Sequence, residues 1–246
     1  MLELKDISFE VDADGQKKTI LSHVSLTIPD HKMVVLTGPN GGGKSTLARL
    51  IAGIEKPTGG KILLDGEDIT ALSITERAKK GIGFAFQQPV RFKGIRVMDL
   101  IRLAAGKNIS PSAACDYLSS VGLCAREYID REVNSSLSGG ELKRIEIATV
   151  LAKASKLSVF DEPEAGIDLW SFQNLIEVFE NMRENIKESS ILIISHQERI
   201  LNIADEVVVL KNGEITSHGS KDEVLPSLIG TASAVPACKK VKEQRR

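Results

Sequence analysis

The stretch VVLTGPNGGGKSTLARLIAGI, residues 34–54, decides the fold. It begins with a short apolar run typical of a buried strand, passes through clustered glycines and continues into an apolar pattern typical of a helix. Within it, residues 38–46, GPNGGGKST, fit the phosphate-loop pattern G-x-x-x-x-G-K-[ST] in its required setting between a strand and a helix. The stretch therefore predicts a nucleotide-binding α/β domain.

The residue types of this loop suit a chain of phosphate groups. Glycines let backbone N–H groups turn inward around an anion at the positive end of the following helix. We expect Lys44 to neutralise the β- and γ-phosphate oxygens and Ser45 to ligate Mg²⁺. Glycines that merely formed a tight turn would not explain why a lysine and a serine follow them. The residues expected to surround the phosphates are Gly38, Pro39, Asn40, Gly41, Gly42, Gly43, Lys44, Ser45 and Thr46.

Two acidic residues end a second apolar run, LSVFDEP, residues 157–163. Asp161 is expected to lie beside the phosphate loop and hold the Mg²⁺ shell. Glu162 is a candidate for the general base that polarises the attacking water. A solvated strand end would explain this pair equally well if it stood alone, but behind a phosphate loop the pattern favours catalysis.

Two further polar residues follow apolar runs that predict parallel strands. Gln87 follows IGFAF and His196 follows ILIIS. Ligands of open α/β sheets bind at the carboxyl ends of the strands, where both residues are expected. Gln87 could ligate Mg²⁺ or orient water, and His196 could donate to the γ-phosphate. Either residue by itself is equally well explained as an ordinary loop residue.

A second glycine pair stands in LSGGE, residues 137–141, before an apolar helical pattern. Ser138 and Glu141 have the spacing of a capping box, so a well-capped helix alone would explain these two residues. It does not explain Gly139 and Gly140, because glycine is a poor helix former. Glycines at a helix start let an outside group approach the N–H donors closely. The segment is therefore a candidate second anion site, completed by a second copy of the chain.

The order of strand and helix patterns predicts the fold class. Nearly all-apolar strands alternating with helices indicate an α/β domain with a mostly parallel sheet covered on both faces. Residues 2–11 and 20–28 predict a strand pair, and residues 171–187 predict a helix. The segment from about residue 90 to about residue 155 carries helical patterns and is interpreted as an inserted helical subdomain. The domain is expected to span residues 1–230, followed by a basic, flexible tail over residues 231–246.

Composition excludes several classes of protein. Lys and Arg number 32 and Asp and Glu 33, so no net field favours nucleic acid or an anionic membrane. No apolar run approaches the ~20 residues that a membrane span requires, and the N-terminus does not resemble a signal peptide. The cysteines are three, without a CxxC pair. Free thiols in a reducing cytoplasm are expected, with ligation of an iron–sulfur or zinc centre as the alternative.

The motifs together resemble one family. GPNGGGKST, FQQP, LSGGE, VFDEP, AGID and SH occur in the order found in ATP-binding-cassette (ABC) ATPases, and the match covers residues 1–225. The resemblance implies a P-loop ATPase fold with a mostly parallel core sheet, an antiparallel β subdomain and an inserted helical subdomain. It also implies that Mg-ATP is sandwiched between the phosphate loop of one protomer and Ser138–Gly140 of another, with Asp168 across the dimer seam.

Finer details resemble the ATPase subunit of the SUF iron–sulfur cluster assembly system. That family carries S-G-G-E-x-K-R, A-F-Q-x-P and H-x-x-R-I-L, and it lacks the aromatic residue on which most cassettes stack adenine; Val11 stands at that place here. The resemblance implies a soluble scaffold protein that docks near Gln87 and the helical subdomain. Gln197, where the SUF family has Tyr, departs from this pattern. The alternatives are the ATP-binding subunit of a membrane importer and a soluble switch in DNA repair or translation.

Overall fold

Two β-sheets organise the part of the chain that the computed structural model describes, residues 1–13, 15–134, 136–184 and 189–232. The strands are β1 (Leu2–Ala13), β2 (Gln16–Ile28), β3 (Met33–Thr37), β4 (Gly59–Leu64), β5 (Glu67–Asp68), β6 (Ile82–Ala85), β7 (Leu157–Asp161), β8 (Ser190–Ile194), β9 (Glu206–Lys211) and β10 (Glu214–Ser220). The helices are α1 (Lys44–Ala52), α2 (Ile74–Lys79), α3 (Val97–Ala105), α4 (Pro111–Ser120), α5 (Ala125–Tyr128), α6 (Gly139–Lys153), α7 (Leu169–Glu184), α8 (Glu198–Ile203) and α9 (Lys221–Ala232).

The larger sheet has the strand order β10-β9-β3-β8-β7-β6. All of its neighbours pair in parallel except β10, which runs antiparallel to β9. The smaller sheet, β2-β1-β4-β5, is antiparallel throughout. Every residue of β3, β7 and β8 is buried, as expected for parallel strands covered on both faces. The predicted fold class is confirmed.

Alternate residues of the central strands divide the core into two clusters. Val34 and Leu36 of β3 pack with α1 and the antiparallel sheet. Met33 and Val35 of the same strand pack with the helical layer, which includes α3, α6 and α7. The period of two along the strand thus places α1 between the two sheets. The phosphate loop therefore enters a helix that is packed on two sides.

A buried arginine closes the far end of α1. Arg77 is completely buried, and its guanidinium donates to the carbonyls of Leu50 (2.6 Å) and Ile51 (3.0 Å). It also donates to the carbonyls of Thr70 (2.8 Å) and Leu72 (3.2 Å). The last carbonyls of a helix have no intrahelical partner, so this side chain satisfies them and carries a favourable charge at the negative helix end.

Two segments differ from the sequence-based expectation. The strand β10 was not predicted, because its residues EITSHGS are polar and only partly buried. It pairs with β9 through a tight turn in which Asn212 and Gly213 have φ of 52° and 80°. The helix predicted over residues 171–187 is α7, and residues 185–187 lie outside the described residues.

The helices α3 to α6 lie between β6 and β7, within the predicted insertion. The predicted basic tail lies outside the described residues from position 233 onward, and α9 ends at Ala232. Within the described ranges, we find no helix with the length and apolar character needed to span a membrane.

Candidate functional site

Four loops meet at the carboxyl edge of the parallel sheet. The phosphate loop follows β3, Asp161 ends β7, His196 follows β8 and Gln87 follows β6. A cavity of about 490 Å³ opens at this edge. Its lining residues are Lys18, Ile20, Asn40, Gly41, Gly43, Lys44, Ser45, Thr46, Gln87, Glu162 and His196. Most of the predicted phosphate-loop residues and all four predicted catalytic side chains, Lys44, Gln87, Glu162 and His196, thus share one cavity.

The phosphate loop packs so closely that a side chain at either of two of its glycines would clash with a neighbouring strand. A Cβ atom on Gly38 would lie 2.0 Å from the carbonyl oxygen of Leu210. A Cβ atom on Gly43, whose φ is 100°, would lie 2.7 Å from Cδ2 of Leu21. The loop is held between β9 and β2, and its backbone N–H groups remain at the start of α1, the positive end of that helix.

The Lys44 side chain lies inside the loop. It is 5% exposed, and its ammonium group donates to the carbonyls of Gly38 (2.8 Å) and Pro39 (3.0 Å). Gly42 closes the same turn through an N–H bond to the Pro39 carbonyl (3.1 Å). The Lys44 ammonium group is therefore fixed where the phosphate chain of a nucleotide bound in the loop would lie.

Replacing Lys44 by alanine is expected to weaken ATP binding by about 10- to 150-fold, the cost of one charge-assisted hydrogen bond or more. Titration with a fluorescent ATP analogue measures the affinity. Lys61→Ala, at an exposed site on β4, is the matched control. Unchanged affinity in the Lys44 variant, with an unchanged thermal midpoint, would remove this residue from the binding site.

Ser45 and Asp161 fit the requirements of a magnesium site. Ser45 Oγ donates to Asp161 Oδ1 at 3.0 Å. Asp161 is 2% exposed, and burial raises the pKa of its carboxyl, an effect that the Ser45 hydrogen bond opposes. Hydroxyl and carboxylate oxygens are the ligands that Mg²⁺ prefers. Ser45 and Asp161 would hold a divalent cation, whose charge would offset the cost of burying the Asp161 carboxylate.

Gln87 and Glu162 contact each other across the cavity. Gln87 Nε2 donates to Glu162 Oε2 at 2.6 Å. Glu162 has φ of 44°, in the left-handed region, and its N–H donates to the carbonyl of Ile194 at 3.0 Å. This uncommon backbone conformation ends β7 with a sharp turn. It places the Glu162 side chain in the cavity while the preceding Asp161 stays buried.

Besides Asp161 and Glu162, a third carboxylate of the loop after β7 was not predicted to belong to the site. Glu164 Oε1 accepts a hydrogen bond from Ser195 Oγ, whereas Oε2 is buried without a partner among the described residues. Burial raises the pKa of the Glu164 carboxyl. Because Ser195 precedes His196, the contact joins the loop after β7 to the loop that carries the histidine. An acidic residue two positions after Glu162 was the only available signal.

The second glycine pair begins α6 as expected. Ser138 is the N-cap; its Oγ accepts from the N–H of Glu141 (3.2 Å) and its N–H donates to the Glu141 carboxylate (2.7 Å). The predicted capping box is confirmed. The Tyr128 hydroxyl also donates to Glu141, which lowers the pKa of this carboxyl. A Cβ atom on Gly139 would meet nothing within 4 Å. The chain's own packing therefore does not require glycine there.

The AGID segment lies beside this helix start. A Cβ atom on Gly140 would lie 4.0 Å from the carbonyl oxygen of Gly166. Asp168 is exposed, and its Oδ1 accepts from the N–H of Ser171 (3.0 Å) at the start of α7. Ser138, Gly139, Gly140 and Asp168 do not line the phosphate-loop cavity. They lie outside it, beside the start of α6 and the AGID segment.

Two cavity residues were missed because they depend on strand register. Lys18 and Ile20 of β2 line the cavity, and Val11, the position compared with the adenine-stacking aromatic, pairs with Lys18 across the hairpin. Sequence patterns do not specify which strand of a hairpin faces a loop distant in the chain. No aromatic side chain is among the described residues that line the cavity. Cys115 and Cys124 are free thiols, and Cys238 lies outside the described residues.

Comparison with known proteins decides the family. The model of the family described as ABC transporter matches residues 21–165, more than half of the chain. The chain belongs to the ABC transporter family. It is an ATP-binding cassette with ATPase activity, as the motifs implied.

Two relatives and one solved structure are similar to this cassette. An uncharacterized ABC transporter ATP-binding protein of Methanocaldococcus jannaschii is 40% identical over 215 residues, which are 84% of this chain and 85% of the relative. A sulfate/thiosulfate import ATP-binding protein of Neisseria meningitidis is 34% identical over 212 residues, 83% of this chain. The match spans only 58% of that importer protein. A dimeric ATP-binding cassette bound to ADP and Pi superposes with a TM-score of 0.81 over 90% of this chain and 99% of its own, at 23% identity.

Proposed function

We propose that this cassette is the ATP-hydrolysing subunit of a membrane transporter of the importer type. The observation that carries the proposal is the cavity in which the phosphate loop, Gln87, Glu162 and His196 meet. Such a site couples nucleotide hydrolysis to movement of the loops around it. The names of both relatives, an ABC transporter ATP-binding protein and a sulfate/thiosulfate import ATP-binding protein, support a transporter over the other candidates.

The residues act on ATP in distinct roles under this proposal. Lys44 and the loop N–H groups hold the β- and γ-phosphates, and Ser45 and Asp161 would hold Mg²⁺. When bound, Mg²⁺ would neutralise part of the negative charge of the phosphates. Glu162 accepts the proton of the attacking water, with Gln87 holding its carboxylate in the cavity. His196, exposed at the rim, donates to the transferred phosphoryl group.

Two protomers are proposed to share each ATP. The surface formed by Ser138–Gly140 and Asp168, in which all but Gly140 are exposed, carries helix N–H donors but has no phosphate loop of its own. A second protomer that presents its phosphate loop to this surface would complete the γ-phosphate site. The similar solved cassette is a dimer bound to ADP and Pi, which supports this arrangement. ATP then favours the closed dimer by its differential affinity for it.

The partner is proposed to dock in an apolar groove beside Gln87. The groove, about 260 Å³, lies between the end of β6 and the helical subdomain. Large apolar side chains stand exposed along it, Phe86 (36%), Val90 (45%), Phe92 (36%) and Leu103 (73%). Exposed apolar clusters of this kind mark interaction sites. Its position next to Gln87 would let an occupant alter the site geometry.

Replacing Leu103 by aspartate is expected to abolish stimulation of the ATPase by the partner, because a charge in an apolar contact is costly to bury. Basal ATPase activity should stay within about twofold of the parent, because Leu103 is exposed and does not line the phosphate-loop cavity. Steady-state phosphate release with and without the partner measures both. Lys107→Asp, an exposed site just past α3, is the matched control.

The SUF assembly ATPase is the second candidate, and one observation favours it. The cavity is edged by Lys18 and Ile20 rather than by an aromatic ring, a feature that this chain shares with the SUF ATPases it resembles. Its partner would be a soluble scaffold protein docked in the same groove. The cytoplasm is the proposed location for either candidate, since the free thiols of Cys115 and Cys124 suit a reducing compartment.

Site-specific photo-crosslinking in the native cell separates the two candidates. A crosslinker at Leu103 samples the groove, and one at Lys61 on the opposite sheet serves as the control position. A protein with several membrane spans, crosslinked only from Leu103, would support the transporter. A soluble protein crosslinked only from Leu103 would favour SUF assembly. Equal yields from both positions would contradict the proposed role of the groove.

A further inference from the structure

A largely buried ion pair on α6 binds the backbone of a single residue. Lys143 is completely buried; its ammonium group donates to the Phe86 carbonyl and, at 3.1 Å, to Glu146 Oε2. Glu146 Oε1 accepts from the Phe86 N–H at 2.8 Å. Both backbone polar groups of Phe86 are thus held by two side chains one turn apart on one helix. We call Lys143 and Glu146 the Phe86 clamp.

The clamp is costly for a purely structural contact. Removing two charges from water is unfavourable, and apolar side chains of similar volume often replace a buried pair without loss of stability. The backbone groups past the end of β6 need partners, but water or a neutral side chain would serve equally. A charged pair adds directionality, because the ammonium faces the carbonyl and the carboxylate faces the N–H. If the two residues were exchanged, the carboxylate would face the carbonyl and the ammonium would face the N–H.

The position of Phe86 connects the clamp to the cavity and to the apolar groove. The next residue, Gln87, donates to Glu162 at 2.6 Å in the cavity. The Phe86 ring lines the apolar groove and packs edge-on against Phe84 at 4.9 Å. The helix that carries the clamp begins at Gly139, about one turn before Lys143 and about two turns before Glu146. One residue therefore joins the groove, the candidate catalytic glutamate and the helix of the second anion site.

We propose that Lys143 and Glu146 are positioning residues that hold Gln87 at the correct distance from Glu162 and make it move together with α6. The proposal rests on the proposed roles of Gln87 and Glu162 in ATP hydrolysis. Without the clamp, the backbone at Phe86 is free to shift relative to α6. Gln87 then loses its fixed contact with the glutamate, while the phosphate loop, which the clamp does not touch, keeps its affinity for ATP.

A double-mutant cycle tests this role. The full-length K143M/E146M variant is expected to lower kcat by about 10-fold or more, since small misplacements of positioning groups are expensive. The Kd for a fluorescent ATP analogue should stay within about threefold. The same change introduced into a Gln87→Ala protein should lower kcat by less than about twofold, because the clamp acts only through Gln87. An equal loss in both backgrounds would overturn the proposal, as would an unchanged kcat in the wild-type background.

A matched control separates positioning from helix packing. Lys153, on the same helix, donates to the carbonyl of Ile82 (2.6 Å) at the opposite end of β6. Lys153→Met removes a similar contact between α6 and β6 far from Gln87 and should leave kcat unchanged; a loss equal to that of the clamp variant would overturn the proposal. If K143M/E146M does not fold, Glu146→Gln enters the same cycle. A fall in kcat that occurs when Gln87 is present but not in the Gln87→Ala protein would support the role. No fall, or an equal fall in both proteins, would overturn it.

The cycle also distinguishes failure of this proposal from failure of the proposed function. If Gln87→Ala and Glu162→Gln both retain full kcat, the site assignment fails and the clamp has nothing to position. If both lose activity while K143M/E146M does not, the site assignment stands and only the clamp proposal fails.

Discussion

Replacing Glu162 by glutamine is expected to lower kcat by about 100- to 10,000-fold, the range that a general base contributes. The reason lies in the geometry of the cavity. The carboxylate already lies against Gln87 Nε2, and the carbonyl oxygen of a glutamine can accept the same hydrogen bond. The substitution therefore removes the base and little else. Single-turnover hydrolysis measures the chemical step, and titration with a fluorescent ATP analogue measures binding, which is expected to stay within about threefold because binding rests on the phosphate loop.

The control for this prediction is Glu67→Gln, an exposed carboxylate that pairs with Lys80 on the surface. It removes one negative charge without approaching the cavity. A Glu162 variant that still hydrolyses ATP at more than about a tenth of the parent rate would contradict its role, because general acid–base catalysis contributes at least a hundredfold. Glu164, two residues later and joined to Ser195, would then become the candidate to examine.

The fold could be predicted where apolar periodicity and local motifs determine structure. Strands β3, β7 and β8 read as short apolar runs, and Gly43 and Lys44 mark the entry into α1. The prediction failed at β10, whose alternating polar residues pack on β9 at the sheet edge with little burial. Such a strand is stabilised by its pairing partner, which a local pattern does not reveal.

The candidate site could be predicted only where each residue follows its own strand. Gln87 and His196 were predicted from their places after β6 and β8, and the structure brings both into one cavity. The Phe86 clamp was not predicted, although Lys143 and Glu146 follow the glycine pair within a few residues in the sequence. Charged residues on a helix ordinarily face solvent, and only the packing of α6 over the end of β6 buries Lys143 completely and Glu146 in large part. The residues that support the cavity side chains are therefore determined by contacts between elements that are distant in sequence.

Replacing Gly140 by alanine is expected to stabilise the fold and yet abolish ATPase activity. Alanine is the better helix former by up to about 1 kcal/mol, and the added Cβ would meet only the Gly166 carbonyl oxygen, at an ordinary contact distance of 4.0 Å. A lone domain should therefore gain in thermal midpoint. A γ-phosphate approaching from a second protomer would meet the new methyl group. Thermal unfolding and phosphate release measure the two effects, which a purely structural role for the glycine would move in the same direction.

Mixing two inactive variants then tests whether the site is shared between protomers. Lys44→Ala inactivates the phosphate loop, and Ser138→Arg blocks the surface at the start of α6. In a mixed dimer, one site combines both defects while the other combines an intact loop with an intact helix start. Equal mixing should therefore recover about a quarter of the parent activity if the dimer is two-fold symmetric. Recovery requires that the two half-sites come from different chains. No recovery, with dimers present by light scattering, would mean that each chain completes its own site. Retained activity of Ser138→Arg by itself would mean that the second glycine pair only begins a helix.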